Sequence, residues 1–206
     1  MTAIIDYGVG NLFSLQSSFS SIGEKAVVSR SADVLKDADR LILPGVGAFK
    51  DARKLLRESG VEDCMLDLVS GGKPLLGICL GMQMLFDRDY EDGLHEGLGL
   101  IPGEVRPISE DLKEAGFPEL KIPQIGWNAL QFRNRSKLFK YIKENDYVYF
   151  VHSYHATGCS AWITSVTEYG ALLTASVEKD NVFGTQFHPE KSGNVGLSIL
   201  KAFVEI

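Results

Sequence analysis

Two short stretches of this chain hold residue types that cooperate in acyl transfer. In Leu75-Leu76-Gly77-Ile78-Cys79-Leu80-Gly81-Met82-Gln83 one cysteine stands between two glycines, where an apolar strand pattern runs into a helical one. That is the pattern of a nucleophile elbow, which needs small residues two positions before and after the nucleophile so that strand and helix can approach. A thiol at a helix N-terminus also meets the positive end of the peptide dipoles, which favours the reactive thiolate. The competing reading of Cys79 is a small buried hydrophobe. A cysteine nucleophile needs a base, and the base needs an orienter. Gln186-Phe187-His188-Pro189-Glu190 offers both. Proline restricts the backbone between His188 and Glu190, and a carboxylate there can fix the imidazole tautomer. A surface turn with a solvated glutamate is the alternative for this pentapeptide taken alone.

Acyl transfer further requires donors for the oxyanion of the tetrahedral intermediate. The backbone N–H of Leu80, just after the cysteine, is one candidate. The N–H of Val46 in Pro44-Gly45-Val46-Gly47 is the other, because a glycine-bearing turn after a strand can expose its amides. The turn is no Walker phosphate loop, since Gly-Lys-Ser/Thr is missing. Of the other histidines, His95 reads as solvated, and His152 and His155 read as structural residues at a strand end. Cys64 and Cys159 read as structural.

The elements that must position these groups follow from periodicity. Residues 3–5, 26–28, 40–43 and 75–78 read as short buried strands. Helical patterns follow each of them: Leu12, Leu15, Phe19 and Ile22 behind a cap at Asn11, then 31–38 behind Ser31, 48–59 with 61–69, and a helix from Leu80 through Phe86. The acidic run 87–92 reads as a solvated face. The second half changes to successive strands at 104–107, 120–128, 147–151, 162–167, 172–177 and 182–187, with a helical piece at 136–142 and a closing helix through Val195, Ile199 and Phe203. The expected fold is α/β, a mostly parallel central sheet with helices on both faces and an additional antiparallel region in the second half. Sites in such sheets form at the carboxyl ends of the strands, so the Pro44 turn and the Cys79 elbow can meet.

Composition bounds the rest. The 206 residues suit one domain, and the net charge of -6 without a basic stripe argues against nucleic acid. Three cysteines, far apart and free of Cys-x-x-Cys spacing, suggest neither disulfides nor a metal site, and fit a reducing cytoplasm. No membrane span or signal peptide is evident.

Together, Gly77-x-Cys79-x-Gly81 and His188-Pro189-Glu190 resemble the glutaminase triad of the class I glutamine amidotransferases. These motifs would equally suit the glutaminase parts of CTP synthase or of anthranilate synthase, which leaves a component of another synthase as the alternative. Asp6-Tyr7-Gly8-Val9-Gly10-Asn11-Leu12, Pro44-Gly45-Val46-Gly47-Ala48-Phe49, Pro123-Gln124-Ile125-Gly126-Trp127-Asn128 and Tyr149-Phe150-Val151-His152-Ser153-Tyr154 are similar to glutaminase subunits of imidazole glycerol phosphate synthase, over essentially the whole chain. The resemblance implies that Cys79 attacks the glutamine amide, His188 passes a proton to departing ammonia, and Glu190 orients His188. It implies that Gly47, Gln83, Glu91, Ser153 and Tyr154 hold glutamine, and that no cofactor takes part. It also implies a heterodimer in histidine biosynthesis, with ammonia passing to a (βα)8-barrel cyclase subunit and Asn11, Trp127, Tyr149 and Lys191 near the interface. A scaffolding subunit that keeps the elbow only for its fold, and a stand-alone hydrolase, are the readings from other classes.

Overall fold

The computed structural model describes residues 1–206. Strand and helix alternate through the first half: β1 (Thr2–Ile5), α1 (Leu12–Ser21), β2 (Ala26–Ser29), α2 (Ala32–Asp37), β3 (Arg40–Leu43), α3 (Phe49–Glu58), α4 (Glu62–Ser70), β4 (Leu75–Ile78) and α5 (Leu80–Gln83). The second half is richer in strands: β5 (Arg88–Asp89), β6 (His95–Glu96), β7 (Glu104–Pro107), α6 (Ile108–Glu114), β8 (Gln124–Ala129), β9 (Gln131–Phe132), β10 (Tyr147–His152), β11 (Tyr154–Thr157), β12 (Ile163–Tyr169), β13 (Ala171–Lys179) and β14 (Val182–Thr185). The closing helix is α7 (Gly193–Val204).

The main sheet runs β2-β1-β3-β4-β14-β13-β12-β9. The pairings from β2 through β14 are parallel, and those from β14 outward to β9 are antiparallel. The parallel strands are mostly apolar because both their faces are covered. Alternate residues enter opposite cores: Ala3, Ile5, Leu41 and Leu43 pack with Leu35, Phe49, Leu56 and Met65 on one side. Ile4, Ile42, Leu76 and Ile78 pack with Leu15, Phe19, Ile199 and Phe203 on the other. Helices α2, α3 and α4 therefore cover one face, and α1 and α7 the opposite one.

The turn after β3 and the elbow after β4 stand side by side at the carboxyl ends of their strands. A Cβ on Gly81 would run into the Leu43 carbonyl oxygen, and one on Gly77 would lie 2.7 Å from the Gly81 oxygen. Only glycine permits this approach.

Several elements depart from the periodicity reading. The elbow helix stops at Gln83 rather than Phe86: the Leu85 and Phe86 N–H groups tighten onto the carbonyls of Met82 and Gln83, three residues back, and the carbonyls that follow are claimed from outside the helix. Leu98 N–H donates to the Met84 oxygen, Leu100 and Ile101 to Leu85, and Gly99 to Phe86. The glycine-rich stretch 93–103 thus folds back to end the helix. Only a 3-10 turn, Lys137–Phe139, forms within 136–142. Strand β8 starts at Gln124, after a cis Ile122–Pro123 bond. The acidic run is a solvated face only in part: Asp87, Arg88 and Asp92 are exposed, but Asp89 lies in β5 and is fully buried. No helix is long and apolar enough to cross a membrane.

Candidate active site

Cys79 occupies φ 55° and ψ −113°, a region that non-glycine residues rarely adopt. The strand before it and the helix after it hold this geometry, with Cys79 N–H donating to the Thr185 oxygen at 2.7 Å across to β14. The sulfur faces a cleft of 290 Å³ that Val46, Gly47, Leu80, Gln83, Glu91, Ser153, Tyr154, His188 and Lys191 help to line.

His188 and Glu190 sit beyond the end of β14, next to the elbow because β14 pairs with β4. Pro189 begins the short 3-10 turn that carries Glu190. The His188 Nδ1–H donates to Glu190 Oε1 at 2.8 Å, with both side chains nearly inaccessible to water. That bond leaves Nε2 for the cysteine. Burial alone would lower the His188 pKa, but the neighbouring Cys79 and the hydrogen-bonded Glu190, with their charges, outweigh it and raise it to about 9. An imidazolium is therefore well supported beside the sulfur. The backbone is tied as well: His188 N–H donates to the Tyr149 oxygen at 3.0 Å, and Ser192 Oγ–H donates to the His188 oxygen at 2.6 Å.

Both candidate oxyanion donors border the same cleft. Leu80 is the first residue of α5, so its N–H has no intrahelical carbonyl. Val46 N–H has no partner at all, and Gly47 next to it takes φ 89°. The Tyr7 hydroxyl donates to the Pro44 oxygen at 2.6 Å and anchors the turn.

The expected glutamine contacts are brought together, with different local duties. Gln83 is buried, and its amide donates to the Tyr154 oxygen and to Gln186 Oε1, each at 3.0 Å. Gln186 in turn places Nε2 at 3.7 Å from the Cys79 sulfur. Glu91 accepts from the Phe49 N–H at the start of α3, while its own N–H donates to Asp89 Oδ1 at 2.7 Å. Burial holds the Asp89 carboxyl neutral up to about pH 7. Asp89 thus supports the backbone that aims Glu91. The Ser153 oxygen accepts from Ile108 N–H, which steadies its end of the cleft.

Trp127 and Tyr149 face each other across the β8–β10 pair, with ring centroids 6.1 Å apart, and the Lys191 ammonium lies 5.9 Å from the Tyr149 ring. Trp127 is 51% exposed and no core residue, and Ile125 beside it is 62% exposed. Asn11 accepts from Ser14 N–H and caps α1. Its side chain makes no hydrogen bond to the Trp127 group. Lys191 belongs to both the aromatic patch and the cleft.

Among the other titratable groups, His155 accepts from Thr174 N–H and bonds Asp111, and His152 bonds Gln124 and the Tyr154 oxygen. Burial drives the His152 pKa down to about 4, in keeping with a structural residue. His95 is not freely solvated: its ring stacks on Phe49 and its Nε2 is buried. Burial pushes the Cys159 thiol up to about 11, which makes it inert. Gln186, Tyr7 and Asp89 were not singled out from sequence. Only Gln186 carried a signal, its place two residues before His188.

The description "Glutamine amidotransferase class-I" matches residues 3–206. The chain is 45% identical over 207 residues to the imidazole glycerol phosphate synthase subunit HisH of Wolinella succinogenes, covering 100% of each. It is 46% identical to the subunit of that name from Geobacter metallireducens, over 98% of this chain and 96% of the other. Among solved structures, PurLQS from Thermotoga maritima aligns with TM-score 0.77 at 18% identity, covering 99% of this chain and 97% of that one. A structure described as a glutamine amidotransferase aligns with TM-score 0.73 at 20% identity, covering 98% and 97%. These two likenesses speak to the fold alone. The chain belongs to the class-I glutamine amidotransferase family and, within it, to the imidazole glycerol phosphate synthase subunit HisH family.

Proposed function

We propose that the chain hydrolyses glutamine to glutamate and ammonia as the glutaminase subunit of imidazole glycerol phosphate synthase in histidine biosynthesis. The observation that carries this reading is one cleft lined by a strained cysteine and a histidine supported as imidazolium, with a buried carboxylate behind the histidine and bonded to it.

The Cys79 thiolate attacks the side-chain carbonyl carbon of glutamine and pushes its electrons onto oxygen. Val46 and Leu80 N–H groups stabilise that oxyanion once glutamine is bound. When the intermediate collapses, the carbon–nitrogen bond breaks, and the His188 imidazolium gives its proton to the departing amine, which leaves as ammonia. A thioester remains on Cys79. Neutral His188 then takes a proton from water, the hydroxide attacks the thioester, and glutamate leaves with the thiolate and imidazolium restored. Glu190 keeps the imidazole in the required tautomer throughout. Gly47, Gln83, Glu91, Ser153 and Tyr154 position glutamine along the cleft.

The ammonia passes to a cyclase subunit of (βα)8-barrel architecture, forming a heterodimer in the cytoplasm. The name of the relatives speaks of a subunit, and the exposed Trp127, Tyr149 and Lys191 group beside the cleft suits a contact with it. Asn11 lies at the start of α1 and contributes from that helix end. The test is glutamate release measured with the cyclase subunit and its substrate present. Loss of turnover in Cys79→Ala is expected, and persistent turnover would sink the proposal.

A further inference from the structure

The elbow helix α5 has four residues, so its dipole is that of a single turn and cannot be the main support for a thiolate. Two contacts besides the imidazole reach the Cys79 sulfur. The thiol points at the Val151 carbonyl oxygen, 3.9 Å away, an acceptor that favours the protonated form. From another side Gln186 Nε2 lies 3.7 Å from the sulfur, a donor that favours the charged form.

Which end of Gln186 meets the sulfur follows from a chain of obligations. The Tyr154 carbonyl can only accept, so the end of Gln83 at 3.0 Å from it is the NH2. That same NH2 lies 3.0 Å from the Gln186 amide, whose facing end must then be the oxygen. The Gln186 NH2 is left for the sulfur. Gln186 is fully buried, and its own N–H donates to the Ala175 oxygen at 2.8 Å, so the group is fixed and shielded from water.

Building on the assignment of Cys79 as nucleophile, we infer that Gln186 is a further catalytic donor, an amide N–H held against the sulfur by Gln83 and the Tyr154 carbonyl. When the thiol proton moves to His188, the Val151 oxygen loses its donor while the Gln186 contact becomes a bond to an anion. The donor therefore helps the charged state more than the neutral one, the condition for lowering a barrier. In the thioester the sulfur is neutral and the contact weakens. It strengthens again as the carbon–sulfur bond breaks and the thiolate departs.

The titratable groups around this sulfur are His188 with Glu190, Tyr7 on the turn after β1, His152 at the end of β10, and Glu91, Tyr154 and Lys191 in the cleft. All persist in the variants below; Gln186→Glu adds a carboxyl of its own, so the uncharged Gln186→Met profile is the one that isolates the lost donor.

The test is the pH dependence of iodoacetamide alkylation at Cys79 in the full chain, read by peptide mass spectrometry so that Cys64 and Cys159 are followed separately. It is paired with glutamate release in the presence of the cyclase subunit. Gln186→Glu keeps the shape and the acceptor toward Gln83 but presents oxygen to the sulfur. Gln186→Met removes both interactions. In each, the alkylation midpoint is expected to rise by about one pH unit, with alkylation on the acid side of the midpoint slowed about tenfold and restored at higher pH. The kcat should fall by a similar factor with KM near that of the parent. An unchanged midpoint in both folded variants overturns the inference, and leaves the nucleophile assignment standing if Cys79→Ala abolishes glutamate release. Glutamate release that survives Cys79→Ala overturns the assignment itself.

Discussion

Replacing Glu190 by glutamine tests the base and its orienter together. The carboxylate is almost wholly buried against His188, and it is not among the residues that line the cleft. An amide there can present its NH2 to Nδ1, which forces the imidazole proton onto Nε2 and removes the acceptor that Cys79 needs. The expected loss in kcat is about 10²–10⁴-fold, or roughly 3–5 kcal/mol on the barrier, with KM nearly unchanged. A stability effect accompanies it. His188 is raised from its ordinary 6.5 to about 9, a preference worth at most about 3 kcal/mol, which Glu190 shares with Cys79. Because the native state holds this proton more tightly than the unfolded chain, the stability is fully present below pH 6.5 and lost as the pH rises through about 9. Urea unfolding of both proteins below and above that window, with steady-state glutamate release at neutral pH, gives the two readouts. A kcat within about threefold of the parent would refute the reasoning. So would an identical loss of stability across the window in both proteins.

Gly81→Ala should destabilise by about 3 kcal/mol or more, visible as a large fall in Tm by circular dichroism, because its methyl meets the Leu43 carbonyl oxygen. The Asp89 carboxyl is raised from 3.8 to about 7, so its stabilising contribution is full below pH 3.8 and lost as the pH rises through about 7. Asp89→Asn, whose oxygen still accepts from Glu91 N–H, should flatten that slope and gain about 1–2 kcal/mol above pH 7 in urea unfolding. Trp127→Ala should cost the isolated chain less than about 1 kcal/mol, since the ring is half exposed, yet weaken cyclase binding at least tenfold by calorimetric titration.

The parallel half of the fold was legible because β1, β3 and β4 are short apolar runs punctuated by glycine turns, a pattern that only doubly covered strands need. The boundaries of α5 were not legible. Met84, Leu85 and Phe86 have helical spacing, and nothing local reveals that amides 98–101 will take their carbonyls. Asp89 misled for a similar reason: its charge reads as surface, whereas pairing of β5 with β7 buries it. Trp127 needed the resemblance: a large aromatic taken alone reads as core, whereas this one stays half exposed on a two-stranded ribbon. Within the site, Cys79, His188 and Glu190 could be read because their chemistry demands those types at that spacing. Gln186 could not, since an amide reveals its role only when the partners at both of its ends are placed. The dipole argument for Cys79 likewise assumed a helix longer than the one formed.

The central claim is that Cys79 alone carries the acyl group. A glutamine analogue bearing a diazoketone in place of its amide, added to the complex with the cyclase subunit, tests it most directly. Peptide mass spectrometry should find one adduct, on Cys79, accumulating in step with the loss of glutamate release, with Cys64 and Cys159 unmodified. Inactivation with the label on another residue, or full labelling of Cys79 with glutamate release intact, would contradict it.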